Sequence, residues 1–440
     1  MDIQREPPGT PLRILDERLH ADPSRVVIRP FHLGWHTAAG IARAKVLVRD
    51  ICDLDEDTVE DEYARVLADF SERHWQTEQV FEQRYKEIRA MLWIDDAAIS
   101  PTRRRLIGSY FCHEYTYAAA ALMNPSIVPH PDQSGMQGGA KRFVMSLRAV
   151  GEGHISSIAF REGIAHADGS FALWPQTAHA TAVMLDAEEE LDENDNPLDG
   201  VVNVHRHEEA NLSNTVIFPI TEQQRNGLED LRLTRFDHGD GDYEWIGTYT
   251  AFSGQSIRSE LLRTRDFRHF ELEPILGRAG RNKGMALFPE KIGGDYAMVG
   301  RQDGVNLYLI RSDRLQTWDD DGVLLMEPKY PWEFLQIGNC GSPIKTSEGW
   351  LLFTHGVGAM RKYALGCALL DLDDPTRVLG RTARPVLTAI DADRSGYVPN
   401  VVYTCGALAV ADRLLIPYGI SDSAVGFATC TLDDILALME

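Results

Sequence analysis

The chain has 440 residues, 44% of them hydrophobic, so it can bury a large core and wholesale disorder is excluded. Acidic residues outnumber basic ones 66 to 44, and a formal charge of −22 argues against nucleic acid and anionic membranes as partners. An anionic small molecule is admissible only in a locally basic pocket, which makes such a pocket worth seeking.

The N-terminus, Met1-Asp2-Ile3-Gln4-Arg5, has no apolar signal-peptide core, and no stretch approaches the length of a membrane span. Cys52, Cys112, Cys340, Cys367, Cys405 and Cys430 are scattered without a CxxC pair, so they read as small core residues and not as a zinc or redox set. Free thiols without a signal point to the cytoplasm. From Asp55 to about Trp93 the pattern is helical: Val59, Tyr63, Val66, Leu67 and Phe70 recur at three- and four-residue spacing with charges between them. A second helical stretch is expected from Pro101 to Met123, with Ser100 as N-cap and Pro101 in the first turn. The run Arg103-Arg104-Arg105 reads as a solvated helix face. Residues 1–122 are therefore expected to form a largely helical N-terminal extension, suited to cover a pocket or to join copies of the chain in a homo-oligomer.

After Asn124 the helical period gives way to short β-rich segments separated by Gly, Asp and Asn turns. Five segments share one plan, a turn, an apolar strand with a polar tip and a second strand: residues 141–160, 242–262, 295–312, 349–370 and 412–432. Their starts lie 101, 53, 54 and 63 residues apart, the last three near one propeller blade of about 40 to 50 residues. The first interval is double, and the acidic stretch from Asp186 to Asp199 reads as a long loop within it. The expected architecture is an all-β five-bladed β-propeller over residues 123–440, closed so that no sheet edge is left open. Arg148, Tyr249, Arg301, His355 and Tyr418 with Asp422 mark matched strand tips, which a propeller brings together around its axis. Gly151-Glu152-Gly153 lacks the helix of a dinucleotide loop, His205-Arg206-His207 lacks further ligands for a metal, and the Asn211-Leu212-Ser213 sequon has no meaning in a cytoplasmic protein.

Several segments resemble glycoside hydrolase family 130, the β-mannoside phosphorylases and related β-mannosidases. They are residues 341–357 (Gly-Ser-Pro-Ile-Lys onward), 363–375, 227–236 around Glu229-Asp230-Leu231-Arg232, 283–301 and 417–428, with 124–128 and Arg148 upstream. Together they span about residues 120 to 435. Leu231 stands where the family has Pro, a change in backbone stiffness that leaves the acid at Asp230 in place.

The resemblance implies inverting phosphorolysis of β-linked mannosides to α-mannose 1-phosphate, with Asp230 as the general acid acting through a sugar hydroxyl. A phosphorylase needs one carboxylic acid plus cations and donors for the phosphate dianion, whereas inverting hydrolysis needs a second carboxylate to deprotonate water. The phosphate-binding candidates are Arg148, Lys283, Arg301, His355 and Tyr363, with Lys345 a weaker one. Those for the sugar are Asn124, Arg232, Tyr249 and Asp422. Tyr249 and Tyr418 suit either stacking on a pyranose or core packing. No metal and no cofactor is expected beyond inorganic phosphate as co-substrate, and the mannoside and phosphate are the expected partners. The runner-up is an inverting β-mannosidase using water, with Glu152 near enough to Arg148 to keep it open. A non-catalytic sugar-binding propeller is the third reading.

Overall fold

The computed structural model describes residues 12–34, 37–95, 97, 99–176, 179–186 and 200–440. Most of the expected acidic loop, residues 187–199, lies outside them. The described chain divides into two compact units, one of residues 23–117 and 177–182, the other of residues 1–22, 118–176 and 183–440.

The smaller unit is built on four helices, Ala38–Cys52, Glu56–Phe70, Thr77–Leu92 and Pro101–Tyr110, beside a strand pair, Val26–Pro30 and Cys112–Thr116. Val59, Tyr63, Phe81, Tyr85, Ile88, Leu106 and Ile107 form its core, the same apolar spacing that the sequence shows. The periodic stretch expected from 55 to 93 is two helices, because the chain turns between Phe70 and Thr77, and Trp93 ends the second in a left-handed conformation, φ 55°. Ser100 caps the last helix as expected, its hydroxyl accepting from Arg103 N at 3.3 Å. That helix stops at Tyr110, short of Met123, because Cys112–Thr116 pairs with Val26–Pro30, and pairing overrides local propensity. The helix Ala38–Cys52 falls within the expected helical extension, outside the two periodic stretches read from the sequence.

The reading of Arg103 as a solvated side chain is corrected. Arg103 is buried and donates to the carbonyls of Ile51 (2.6 Å), Cys52 (2.9 Å) and Leu54 (2.8 Å) and to Glu56 Oε1 (2.7 Å). It satisfies the carbonyls at the C-terminal end of the first helix, where a cation also complements the helix dipole.

The larger unit is all-β apart from short turns of helix. Each of the five repeats is an antiparallel hairpin: Lys141–Val150 with Ser156–Ala165, Asp242–Phe252 with Ile257–Thr264, Tyr296–Gly300 with Leu307–Ser312, Trp350–Val357 with Tyr363–Leu370, and Arg413–Ile420 with Ala424–Thr431. The sheets differ from five equal blades. The first two hairpins belong to one large sheet, joined through the strand Gly227–Gly239, which meets the first hairpin at Gly227 and Ser156. The strand Arg13–His20, expected within a helical extension, pairs with Ala424–Thr431 at the edge of the last sheet.

Apolar clusters bind each hairpin to the next. Phe160 of the first meets Trp245 and Leu262 of the second; Ile246 and Leu261 meet Met298 and Ile310 of the third. Val299 and Leu309 meet Trp350 and Leu352 of the fourth, and Phe353 and Leu365 meet Ile416 and Ala428 of the fifth. The fifth hairpin contacts the first sheet, where Phe427 lies 4.4 Å from Phe171 between ring centroids and Ser423 O accepts from Leu122 N.

Candidate active site

Two strands lose register where the site begins. Gly227–Gly239 slips against Asp242–Phe252 between Glu229 and Arg232, and Ala121–Pro129 slips against Lys141–Val150 between Met123 and Ser126. At those irregularities Asp230 and Asn124 adopt left-handed backbone, φ 57° and 49°. Asp and Asn tolerate that region better than other residues with a Cβ, and a break in the ladder re-aims a side chain. Asn124 Nδ2 donates to Asp230 Oδ1 at 2.6 Å.

Arg148 supplies the cation. Its two terminal nitrogens reach Asp230 Oδ1 at 3.3 Å and Glu229 Oε1 at 2.7 Å, while its Nε donates to Ser156 Oγ at 2.9 Å. Arg232 is buried beneath, donating to the Asp230 carbonyl (3.0 Å), the Cys340 carbonyl (2.8 Å) and the Tyr403 hydroxyl (2.8 Å). It therefore props the backbone of Asp230 and does not itself grip the carboxylate.

These neighbours set the charges. Burial pushes the Asp230 carboxyl up, but Arg148, Arg232, the Asn124 amide and Lys283 outweigh it and hold it below the ordinary aspartate value. Glu229 is raised by burial and by the charge of Asp230, with Arg148 opposing. Asp422, at the turn of the fifth hairpin with φ 49°, is pushed up to about 6 by burial and by Asp230, again against Arg148.

His355, Arg301 and Tyr363 form the adjoining wall. A Cβ placed on Gly338 would come within 2.3 Å of His355 Cε1 and 3.0 Å of Arg301 Cδ, so both side chains lie over that glycine. Tyr363 stacks on the His355 ring at 5.8 Å and 13°, and Tyr403 meets it edge-on at 4.8 Å. His355 was expected among the cations. Burial, then Arg301 and Arg232, hold its pKa well below the ordinary histidine value, so at neutral pH it is an uncharged ring.

The hydrogen bonds, ring contacts and mutual fields thus link Asn124, Arg148, Asp230, Arg232, Lys283, Arg301, His355, Tyr363 and Asp422. Tyr249 is the exception. It is buried in the core, its hydroxyl donating to Glu260 at 2.6 Å and accepting from Gln224 at 3.0 Å, so its placement is that of a packing residue. Tyr418 is buried likewise, and Lys345 pairs with Glu290 at 2.6 Å.

The family model described as β-1,4-mannooligosaccharide phosphorylase matches residues 188–440, more than half of the chain. The chain belongs to glycoside hydrolase family 130. It is 34% identical over 228 residues to a 1,2-β-oligomannan phosphorylase of a Thermoanaerobacter species, covering 51% of this chain and 75% of the relative. It is 33% identical over 230 residues to a β-1,2-mannobiose phosphorylase of Listeria innocua, covering 51% of this chain and 63% of the relative. A glycosyl hydrolase structure from Bacteroides ovatus shares the fold, with TM-score 0.52 and 18% identity over 73% of this chain and 87% of that one.

Within this family-130 chain, the departure at Leu231 has a packing counterpart. Leu231 is buried, and a Cβ on Gly247 of the facing strand would lie 2.6 Å from its Cδ1. The leucine fills the space that the glycine leaves. Sequence reasoning missed Glu229 and Tyr403 as members of the site. Glu229 was legible only as the neighbour of Asp230, and nothing local to Tyr403 marks it, since its partner Arg232 is far away in the chain.

Proposed function

We propose that this chain is a β-mannoside phosphorylase that cleaves a β-mannosidic bond with phosphate and inverts the anomeric carbon to give α-mannose 1-phosphate. The observation that carries this reading is the carboxyl of Asp230, held by Arg148 and Asn124 beside Lys283, Arg301 and His355. One acid next to a cluster of cations and donors is what phosphorolysis asks of a protein. The names of the Thermoanaerobacter and Listeria relatives, both phosphorylases of β-1,2-linked mannose, support it and make β-1,2-mannobiose the first substrate to try.

In this mechanism a phosphate oxygen attacks the anomeric carbon opposite the leaving oxygen, the glycosidic C–O bond breaks, and the proton of Asp230 reaches that oxygen through a sugar hydroxyl. Asp230 must then carry a proton, although the cations favour its ionised form. A phosphate dianion among Arg148, Lys283, Arg301, His355 and Tyr363 offsets the pull of the arginines and Lys283 on Asp230, so that burial raises the carboxyl. Asn124 and Asp422 hold sugar hydroxyls, and Arg232 keeps the Asp230 backbone in place. The water-using alternative needs a second carboxylate as base; Glu229 is paired with Arg148, and the phosphate dependence of cleavage separates the two readings.

The same reading takes the five hairpins as a five-bladed propeller, since their apolar contacts run from each to the next and from the fifth to the first sheet. Its catalytic domain is drawn from residues 123–440, with the strand Arg13–His20 added at one edge, and the helices of residues 38–110 are the candidates for oligomer contacts. A cytoplasmic setting suits the six free cysteines. Among the described residues, no helix is long and apolar enough to cross a membrane.

The test is product analysis with β-1,2-mannobiose, with and without phosphate. Cleavage is expected to saturate with phosphate and accumulate mannose 1-phosphate. Arg301→Ala is expected to raise the phosphate requirement about 10- to 150-fold, more than that for the mannoside. Free mannose released at the same rate without phosphate means hydrolysis. Binding without any cleavage means a sugar-binding protein.

A further inference from the structure

The rim of the site carries two rings that have no role in the machinery above. Tyr397 is 61% exposed, and His154 is exposed at the turn of the first hairpin with left-handed backbone, φ 61°. Their rings meet at 5.9 Å between centroids, tilted by 35°. They come from far-separated parts of the chain, and both are exposed to water.

The backbone around Tyr397 fixes where that pair sits. Tyr397 N donates to Ser423 Oγ at 2.7 Å and Val398 N to the Ser421 carbonyl at 3.0 Å, the two residues that flank Asp422. Three residues on from Tyr397, the Asn400 carbonyl accepts from Tyr363 N at 3.0 Å. The segment is thus tied at one end to the turn holding Asp422 and at the other to Tyr363 beside His355. On the far side, His154 closes the hairpin whose first strand carries Arg148 and whose second begins with Ser156, bonded to Arg148.

We propose that Tyr397 and His154 form a stacking platform for the pyranose ring on the leaving-group side of the scissile bond. A pyranose presents an apolar C–H face, and exposed aromatic rings gain from covering it while the sugar hydroxyls stay in water. The pair adds no carboxylate to the site, so it selects for a ring of suitable orientation and not for charge. This inference rests on the phosphorylase reading for the identity of the substrate.

Calorimetric titration into the Asp230→Asn protein, in which turnover is slowed, separates the two. β-1,2-Mannobiose and inorganic phosphate are titrated separately into this parent and into the same protein carrying Tyr397→Ala, Tyr397→Phe or His154→Ala. Tyr397→Ala is expected to weaken mannobiose binding about 5- to 20-fold, with a smaller loss for His154→Ala, and Tyr397→Phe is expected to bind as the parent does. Phosphate affinity is expected to stay the same in all of them. Unchanged mannobiose affinity in Tyr397→Ala overturns the platform while leaving the phosphorylase reading intact. Loss of phosphate and mannobiose binding together shows a structural role and overturns it too. A parent that binds phosphate but no mannobiose overturns the substrate assignment, and the platform with it.

Discussion

At the residue scale, Asp230 and Asp422 face one another's charge across Arg148 and fare differently. Asp230 has the cations and the Asn124 amide and is held down; Asp422 has burial and a like charge and is pushed up to about 6. Asp230→Asn keeps the shape and the Asn124 contact but has no proton of the right acidity to give. Turnover is expected to fall about 10²- to 10⁴-fold with the fold intact, measured as mannose 1-phosphate release and by circular dichroism. Asp422→Asn is expected to lower turnover while stabilising the protein. The raised carboxyl costs stability fully above about pH 6, and that cost fades as pH falls to the unfolded aspartate value, about 3.9. The Tm of Asp422→Asn should exceed that of the wild type by about 1–4 °C at pH 8, with the difference shrinking to nothing below about pH 4. Equal Tm values at pH 8 would contradict the assigned burial and repulsion.

At the element scale, the site depends on places where the strands stop being regular. The slip at Glu229–Arg232 and the slip at Met123–Ser126 turn Asp230 and Asn124 toward each other. Gly338 is another such place. It lies on the strand Gln336–Asn339, opposite His355 in register, and its missing side chain is the room that His355 and Arg301 occupy. Gly338→Ala puts a methyl within 2.6 Å of His355 Nε2 and must displace that ring. The expected result is a phosphate KM raised at least as much as in Arg301→Ala, with mannoside affinity less affected. Wild-type phosphate kinetics would show that neither side chain needs its present position.

At the scale of the whole molecule, the two ends of the chain meet in one sheet. Arg13–His20 pairs with Ala424–Thr431 over most of its length, with a register shift between Leu15 and Arg18. Removing residues 1–22 uncovers the edge of the last hairpin, whose strand Arg413–Ile420 leads to Asp422. A bare edge is a template for pairing with other chains. The truncated protein is expected to melt several degrees lower and to aggregate on heating, read by calorimetry and light scattering. An unchanged melting temperature would mean that this strand adds nothing to the fold.

Much of this was legible in the residues alone. The apolar spacing of Val59, Tyr63 and Phe70 marked a helix and the five repeats marked five hairpins, because local periodicity is written in neighbouring residues, while the Glu229-Asp230-Leu231-Arg232 segment marked a candidate acid only through its resemblance to family 130. Tertiary structure alone decided that Tyr249 belongs to the core and Asp422 to the site, though both stood at matched strand tips. A tip points to the pocket or to the next sheet according to twist and register, which pairing between distant strands sets. The same holds for Arg103, which became a cap because the first helix ends beside it, and for His355, which is neutral because the fold buries it and brings Arg301 and Arg232 to it from elsewhere in the chain. Charge state and burial are sums over neighbours in space, and only the folded chain brings those neighbours together.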